Sequence, residues 1–292
     1  MTEFPLPTNL VHSAARDRHD RRRQWVARLP ATVATIATAW GLRLDDPFQP
    51  GGETSWTAPA RDAADQDLVL KVAWTHAEAE HEAEGLLHWA GNGTVLLHAS
   101  HLEDDTCALL LEHARPGAEL GRSLPEPEQD VVVSGLLRRL WAAPPRGHAF
   151  RPLADMCDQW AAEQEATPPL SALDPGIVRA GIALFRSLPR EAGRSVLLLT
   201  DLHAGNILSA QREPWLVIDP KPYVGDPTYD PLQHLLNCPE RLFTDPWVLS
   251  DRVAHLSEVD ADRLRLWLFA RCVVESSWWP ELAGLARRLA PR

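Results

Sequence analysis

The stretch LLLTDLHAGNILSAQREPWLVIDPKP, residues 197–222, sets three metal- or proton-binding side chains, Asp201, Asn206 and Asp219, into an apolar framework. The groups SVLLLT, NILSA and PWLVID read as short strands separated by polar turns. Asp201 sits on the loop after the first strand, Asn206 opens the second and Asp219 ends the third. Asp-x-x-x-x-Asn on a loop is the spacing at which an aspartate takes the proton of an attacking hydroxyl while the asparagine oxygen binds Mg²⁺ beside a transferring phosphoryl group. A hairpin leaving Asn206 would return Asp219 to the same cation. The competing reading of Asp219 is an Asx turn ahead of Pro220.

The stretch also contains Lys221, one of two lysines among 29 Lys and Arg residues. The other, Lys71, lies inside the apolar run LVLKVAW, where an ammonium group is costly unless it finds a partner. A glycine turn, QPGGETSW, precedes that strand, and the glutamate-rich THAEAEHEAEGLLHWAG follows it as a predicted helix. This is the order of the lysine that touches the α- and β-phosphates in kinases and of the glutamate that holds it. Glu78, Glu80, Glu82 and Glu84 are the candidates for that partner. Glu82 is preferred because it lies one turn before Leu86 on the apolar stripe. A lysine snorkelling from an edge strand is the alternative. In the turn, main-chain N–H groups at Gly51 and Gly52 and the Thr54 or Ser55 hydroxyl would cover phosphates. Main-chain groups at Glu112, His113 and Ala114, in LLLEHARPG, would meet a purine edge.

Working outward, 15–41 reads as helical, with Trp25, Val26, Leu29, Val33, Ile36 and Trp40 on a buried face and Pro30 breaking it in two. PFQPGGETSWTAPARDAADQDLVLKVAW reads as strand, glycine turn, strand, polar turn, strand. Composition turns to Pro, Gly and Glu near residue 114, and helices follow at about 128–142, 152–166, 175–188, 229–237 and 259–279. The expectation is an α+β, bilobal fold: a β-rich N-terminal lobe over 1–113 with a helical extension over 1–42, and a mainly helical lobe over 114–292. The length of 292 residues suffices for both. A net charge of −11 argues against nucleic acid. No apolar run reaches the roughly 20 residues of a membrane helix, and no apolar leader is visible, so a cytoplasmic monomer is expected. Four cysteines without a CxxC and twelve scattered histidines give neither a disulfide framework nor a zinc site.

On these residues the chain resembles the aminoglycoside phosphotransferase family of kinase-like enzymes, and within it the branch of streptomycin 6-kinases and hydroxyurea phosphotransferases. PGGETSW, LVLKVAW, EAEGLLHWAGNG, LLLEHARPG, LWAAPPRGHAF, TDLHAGNIL and VIDPKPYVGDPTYD carry the resemblance, over about 45–280. It implies a protein-kinase-like fold and transfer of the γ-phosphate of ATP or GTP to a hydroxyl of a small acceptor. Asp201 would be the base, Asn206 and Asp219 the Mg²⁺ ligands, Lys71 the phosphate contact and Glu82 its holder. Many members carry His-Gly before the base; here Leu199-Thr200 stands there, which points to the hydroxyurea-type subgroup. His203 occupies the place of a lysine that faces the γ-phosphate in many protein kinases, or else stabilises the loop by a hydrogen bond. Lys221 would reach a phosphate or pair with Asp226.

DPKPYVGDPTYDPLQHLL enters a helix at once, which leaves no platform for a peptide and favours a small acceptor. Asp226, Asp230 and Glu275 are the acidic groups that would face a cationic acceptor, with Trp278 and Trp279 as stacking walls. Each also has a structural reading, the two tryptophans as an inward-packed helix end. A non-catalytic nucleotide- or ligand-binding protein of the same fold, or a kinase of an endogenous metabolite, is the alternative function.

Overall fold

The computed structural model describes residues 4–17, 20–75, 80–166 and 173–291. The chain forms two compact units, Met1–Gly117 with Ala210–Arg212, and Ala118–Ser209 with Glu213–Arg292.

The first unit opens with helices α1 (Thr8–Arg16) and α2 (Asp20–Ala39), followed by β1 (Arg43–Leu44), β2 (Ser55–Arg61), β3 (Asp67–Trp74), α3 (Glu82–Trp89), β4 (Leu97–Glu103) and β5 (Thr106–Glu112). The strands form an antiparallel sheet in the order β1-β2-β3-β5-β4. Side chains alternate across a strand, so the sheet has two faces, and the central β3 is buried on both. Trp56, Ala58 and Ala60 of β2, Leu68, Leu70 and Val72 of β3, and Ala108 and Leu110 of β5 share a core with Trp25, Leu29, Val33 and Ile36 of α2. The intervening positions, among them Ser55, Thr57, Val69, Lys71 and Leu109, lie on the other face.

Helix α2 runs unbroken through Pro30, contrary to the expected break. Proline removes one N–H and strains the turn before it. Here Leu29 and Val33, on either side, are both buried against the sheet, and that packing holds the two halves in line. The first strand expected from PFQP is instead the two-residue β1 upstream of it. Proline at 47 and 50 denies that segment ladder N–H groups.

The second unit contains α4 (Leu120–Ser123), α5 (Glu126–Leu140), α6 (Leu153–Ala166), α7 (Pro175–Ser187), β6 (Val196–Leu198), β7 (Ile207–Ser209), β8 (Trp215–Val217), β9 (Tyr223–Gly225), α8 (Leu232–Leu236), α9 (Pro239–Thr244), α10 (Pro246–Ser257), α11 (Ala261–Glu275) and α12 (Leu282–Leu289). Leu153, Phe185, Tyr229, Trp267 and Phe269 are among its core residues. Helices α7 and α11 approach closely at Gly181, where an added Cβ would lie 2.6 Å from Val273. Helices α9, α10 and α12 lie outside the helices expected from the apolar pattern. For the first two the signals are present in the sequence: proline opens both, and the Asp245 side chain caps α10 through the N–H groups of Trp247 and Val248. Strand β6 pairs with β9 and β7 with β8. No helix among the described residues is long and apolar enough to cross a membrane.

Candidate active site

In the first unit, Lys71 is 8% exposed, and its Nζ lies 2.7 Å from both carboxylate oxygens of Glu82. Glu82 occupies the first turn of α3 and is itself buried. Of the other candidate partners, Glu80 and Glu84 are exposed and Glu78 lies outside the described residues. A buried ammonium held by both oxygens of one carboxylate keeps its charge and its direction, which a surface pair does not do. Thr57 stands opposite Lys71 across the β2–β3 ladder, and its hydroxyl lies 3.4 Å from that of Ser55. Sequence reading stopped at Ser55; the period of two along β2 would have added Thr57 to the same face. Burial, reinforced by Glu82, pushes the nearby Cys107 thiol up to about 11.

The turn before β2 has Gly51 in the left-handed region at φ 71°. The Thr54 carbonyl accepts from the Trp74 N–H at 2.9 Å, tying the end of the turn to β3. At the far end of β5 the Glu112 carboxylate is engaged by Arg212 and the Leu96 N–H, and the Glu112 N–H donates to the Leu96 carbonyl. That commits the Glu112 side chain and N–H within this unit. His113 pairs with Asp67 at 3.0 Å, and Ala114 is buried.

In the second unit the loop after β6 is fixed from three sides. The Asp230 carboxylate is fully buried and accepts from the N–H groups of Leu199 and Thr200 and from the indole N–H of Trp141. The Leu199 carbonyl accepts from the amides of Asp201 and Lys221, at 2.7 and 2.9 Å. The Thr200 hydroxyl donates to the Lys221 carbonyl at 2.6 Å. Thr200 and Asp219 both adopt left-handed backbone, at φ 50° and 52°, a conformation that costs non-glycine residues energy and persists where surroundings enforce it. Thr200 therefore ties the loop to the Asp219–Lys221 segment by its hydroxyl.

Asp201 is half-buried. The Asn206 side-chain nitrogen donates to the Asp201 carbonyl at 3.0 Å, which leaves its amide oxygen as the acceptor. The Ile218 N–H donates to the Asn206 carbonyl, so Asn206 and Asp219 flank the end of the β7–β8 ladder. The Asp219 carboxylate is about one-third exposed. A carboxamide oxygen and a carboxylate are hard donors, and Mg²⁺ takes such oxygen ligands while keeping several waters. The residues present fit that ion.

His203 accepts from the Gly205 N–H through Nδ1 at 3.1 Å. That is the loop-stabilising reading, and it fixes the tautomer with hydrogen on Nε2. Burial lowers its pKa, with Asp219 pulling the other way. Lys221 pairs with Asp219 at 2.5 Å, whereas one of its two expected roles was a pair with Asp226. Asp226 is buried and accepts from Arg263 and from the Trp267 indole, and it caps Thr228.

The expectation that Asp226, Asp230 and Glu275 present free anions to an acceptor is corrected. Each is buried, and each carboxylate already serves a donor of this unit; for Glu275 it is Arg271 at 2.5 Å. The Arg271 guanidinium lies over the rings of Trp160 and Tyr229, at 5.5 and 5.4 Å, and donates to Gln233. Sequence reading missed this residue, because one arginine among many carries no local mark. Trp278 is 68% exposed and edges onto Trp160, so it does not pack inward; Trp279 packs on Phe243.

Asp130, His234 and Cys238 bring ligand-type atoms within 4.8 Å of one another. Arg241 and Arg252 already hold the Asp130 carboxylate, and two guanidinium groups oppose a cation there. Burial pushes the Cys238 thiol up to about 12, against the thiolate a metal would need. The cluster is an ion network joining α5 to α8, α9 and α10.

With the geometry of both units described, comparison with known proteins is specific. The family described as aminoglycoside/hydroxyurea antibiotic resistance kinase matches residues 43–283. The chain belongs to this family. Streptomycin 6-kinase of Streptomyces griseus is 31% identical over 284 residues, 94% of this chain and 90% of the relative. Hydroxyurea phosphotransferase of Kitasatospora aureofaciens is 34% identical over 283 residues, 94% of this chain and 79% of the relative. Among solved structures, the amicoumacin kinase hAmiN in complex with AMP-PNP, Ca²⁺ and Ami superposes with a TM-score of 0.63 at 12% identity, over 91% of this chain and 94% of that one. At that identity the likeness establishes the fold. This kinase is a phosphotransferase acting on a hydroxyl, with a nucleotide as donor and a small molecule as acceptor.

Proposed function

We propose that the protein phosphorylates a hydroxyl of an antibiotic-type small molecule, of the aminocyclitol or hydroxyurea class, with ATP and Mg²⁺. The observation that carries the reading is the grouping of Asp201, Asn206 and Asp219 on a loop and ladder end fixed by Asp230, Thr200 and the Leu199 carbonyl. Asp201 accepts the proton of the acceptor hydroxyl as its oxygen bonds to the γ-phosphorus and the bond to the β,γ-bridging oxygen breaks, with ADP leaving. Asn206 and Asp219 would hold Mg²⁺, which when bound would supply charge neutralisation to the phosphates. Lys71, oriented by Glu82, takes the α- and β-phosphates. Gly51, Gly52, Thr54 and Ser55 cover the phosphates, joined by Thr57, and main-chain groups at Glu112, His113 and Ala114 meet the purine. His203, neutral and protonated on Nε2, offers one further donor near the transferred group. Catalysis is then mainly positioning and charge stabilisation.

Leu199-Thr200 before the base, and an arginine already neutralising Glu275, favour a neutral acceptor of the hydroxyurea class over a polycation. The test is an ADP-release assay with mass detection of product, offering streptomycin, simple aminocyclitols and hydroxyurea to the wild type and to Asp201→Ala. Product with hydroxyurea in the wild type alone supports the reading. Equal ADP release by both proteins, or no product from any acceptor, overturns it.

A further inference from the structure

The family match begins at residue 43, yet the segment before it grips the glycine turn of the first unit. The Asn9 N–H donates to the Pro50 carbonyl at 3.0 Å, and the Asn9 side-chain nitrogen donates to the Gly51 carbonyl at 2.8 Å. Gln49 is held from both sides: its amide nitrogen donates to the Leu6 carbonyl, and its oxygen accepts from the N–H and hydroxyl of Thr8. Arg22, on α2, donates to the Glu53 carbonyl. The Trp56 indole donates to the Pro5 carbonyl at 3.0 Å while Phe4 stacks on its ring. Pro7 closes the underside: a Cβ built at Gly51 would lie 2.5 Å from its Cβ.

Peptide planarity gives these contacts a direction. In a trans peptide the C=O of one residue and the N–H of the next point opposite ways. The cis bonds among the described residues are Gln49–Pro50 and Arg115–Pro116, so the peptides after Pro50, Gly51 and Glu53 are trans. Holding the Pro50, Gly51 and Glu53 carbonyls on Asn9 and Arg22 therefore turns the N–H groups of Gly51, Gly52 and Thr54 away from the strap. Gly51 is left-handed at φ 71°, and N–H groups turned outward together on such a turn suit phosphate oxygens.

We propose that Phe4–Asn9 together with Arg22 is a positioning strap for the nucleotide-phosphate turn, and that Asn9 is its central residue. The strap touches no substrate; it sets the peptide planes whose N–H groups do. This rests on the reading of Gly51–Ser55 as the phosphate turn. A loosened turn lowers affinity for the donor and leaves the acceptor untouched, so the signature is a split between the two Michaelis constants.

The test uses the full chain, with Asn9→Ala, which deletes the side-chain donor, Asn9→Asp, which sets a carboxylate against the Gly51 carbonyl, and Arg22→Ala. Binding of AMP-PNP with Mg²⁺ is measured by calorimetry, KM for each substrate by ADP release, and folding by circular dichroism. One lost hydrogen bond corresponds to roughly 3- to 10-fold in affinity. The expected result is a weakening of that size for Asn9→Ala, more for Asn9→Asp, and an acceptor KM within about twofold of wild type. Unchanged AMP-PNP affinity in the folded Asn9 and Arg22 variants, while Lys71→Met abolishes binding, overturns the strap. If Lys71→Met also binds normally, the phosphate reading itself fails, and the strap with it. Should the Asn9 variants not fold, Arg22→Ala decides alone: weakened AMP-PNP binding supports the strap and unchanged binding overturns it.

Discussion

Replacing Asp230 by asparagine separates the structural from the chemical use of carboxylates in this protein. Asp230 is fully buried, and burial raises its pKa from 3.8 to about 6 in spite of three N–H donors. Between those two values the folded chain holds a proton that the unfolded chain has released. Stability from this group therefore falls as pH rises from about 4 to about 6 and is level above that. At about 1.36 kcal/mol per pH unit, the change over the window is about 3 kcal/mol. Asparagine does not titrate, so the difference between wild type and variant isolates this group from all the others. Asparagine also turns an NH₂ toward donors that need an acceptor, and one unmatched buried N–H costs about 1–3 kcal/mol at any pH. The wild type should thus be at least as stable as the variant near pH 4.5, by about 0–2 kcal/mol, and the advantage should vanish or reverse by pH 7.5. Urea unfolding followed by tryptophan fluorescence at pH 4.5, 5.5, 6.5 and 7.5 measures it. Activity should behave differently. Leu199 and Thr200 lead into Asp201, and a base displaced by about 1 Å costs on the order of 100-fold, so kcat at pH 7.5 should fall at least tenfold where stability is nearly unchanged. A stability difference constant across the pH range would refute the raised pKa. Full kcat in the variant would refute the claim that Asp230 fixes the loop.

Asp201→Asn should lower kcat by roughly 10²- to 10⁴-fold with little change in the urea midpoint; a loss under tenfold would place the base elsewhere. Glu82→Ala strands a buried ammonium and should cost about 3–5 kcal/mol in unfolding free energy, with Glu82→Gln recovering part of it. Chelation with EDTA should stop turnover and added Mg²⁺ restore it, and Asp219→Asn should raise the Mg²⁺ concentration at half-maximal rate without unfolding the protein.

Strand positions are legible in the sequence because burial leaves a period of two: LVLKVAW and TCALLLE alternate one face into the α2 core, and Lys71 breaks the apolar run on the other. The partner of Lys71 is legible because helical spacing orders the glutamates relative to Leu86. The limits of α8 and α11, and the presence of α9, α10 and α12, are less so. Helices α8 and α9 are short, α11 is buried along most of its length and so shows little amphipathic contrast, and α12, though amphipathic, is only eight residues long. Pro30 misleads because local propensity argues for a break and tertiary packing overrides it.

The acidic residues show where sequence reading has to stop. Spacing to Asn206 marks Asp201 and Asp219 in the string, but nothing there tells whether Asp226, Asp230 and Glu275 face a ligand or the interior. Burial and donor supply do. Asp226 meets a guanidinium and an indole, Asp230 meets two main-chain amides and an indole, and Glu275 meets a guanidinium, all in sites from which water is excluded. A carboxylate so committed cannot also take a proton from substrate or coordinate a cation without breaking what it holds. Asp201 and Asp219 are instead half-buried, at the ends of strands, one held through its main chain and the other at a left-handed turn. The strand framework carries their backbones while their carboxylates stay at accessible positions. The use of the buried Asp230 carboxylate to fix peptide planes is the same logic by which Asn9 fixes the glycine turn. Asp230 acts on the amides that lead into Asp201, and Asn9 acts on the carbonyl of Gly51, so in each unit a polar side chain sets main-chain groups of a loop.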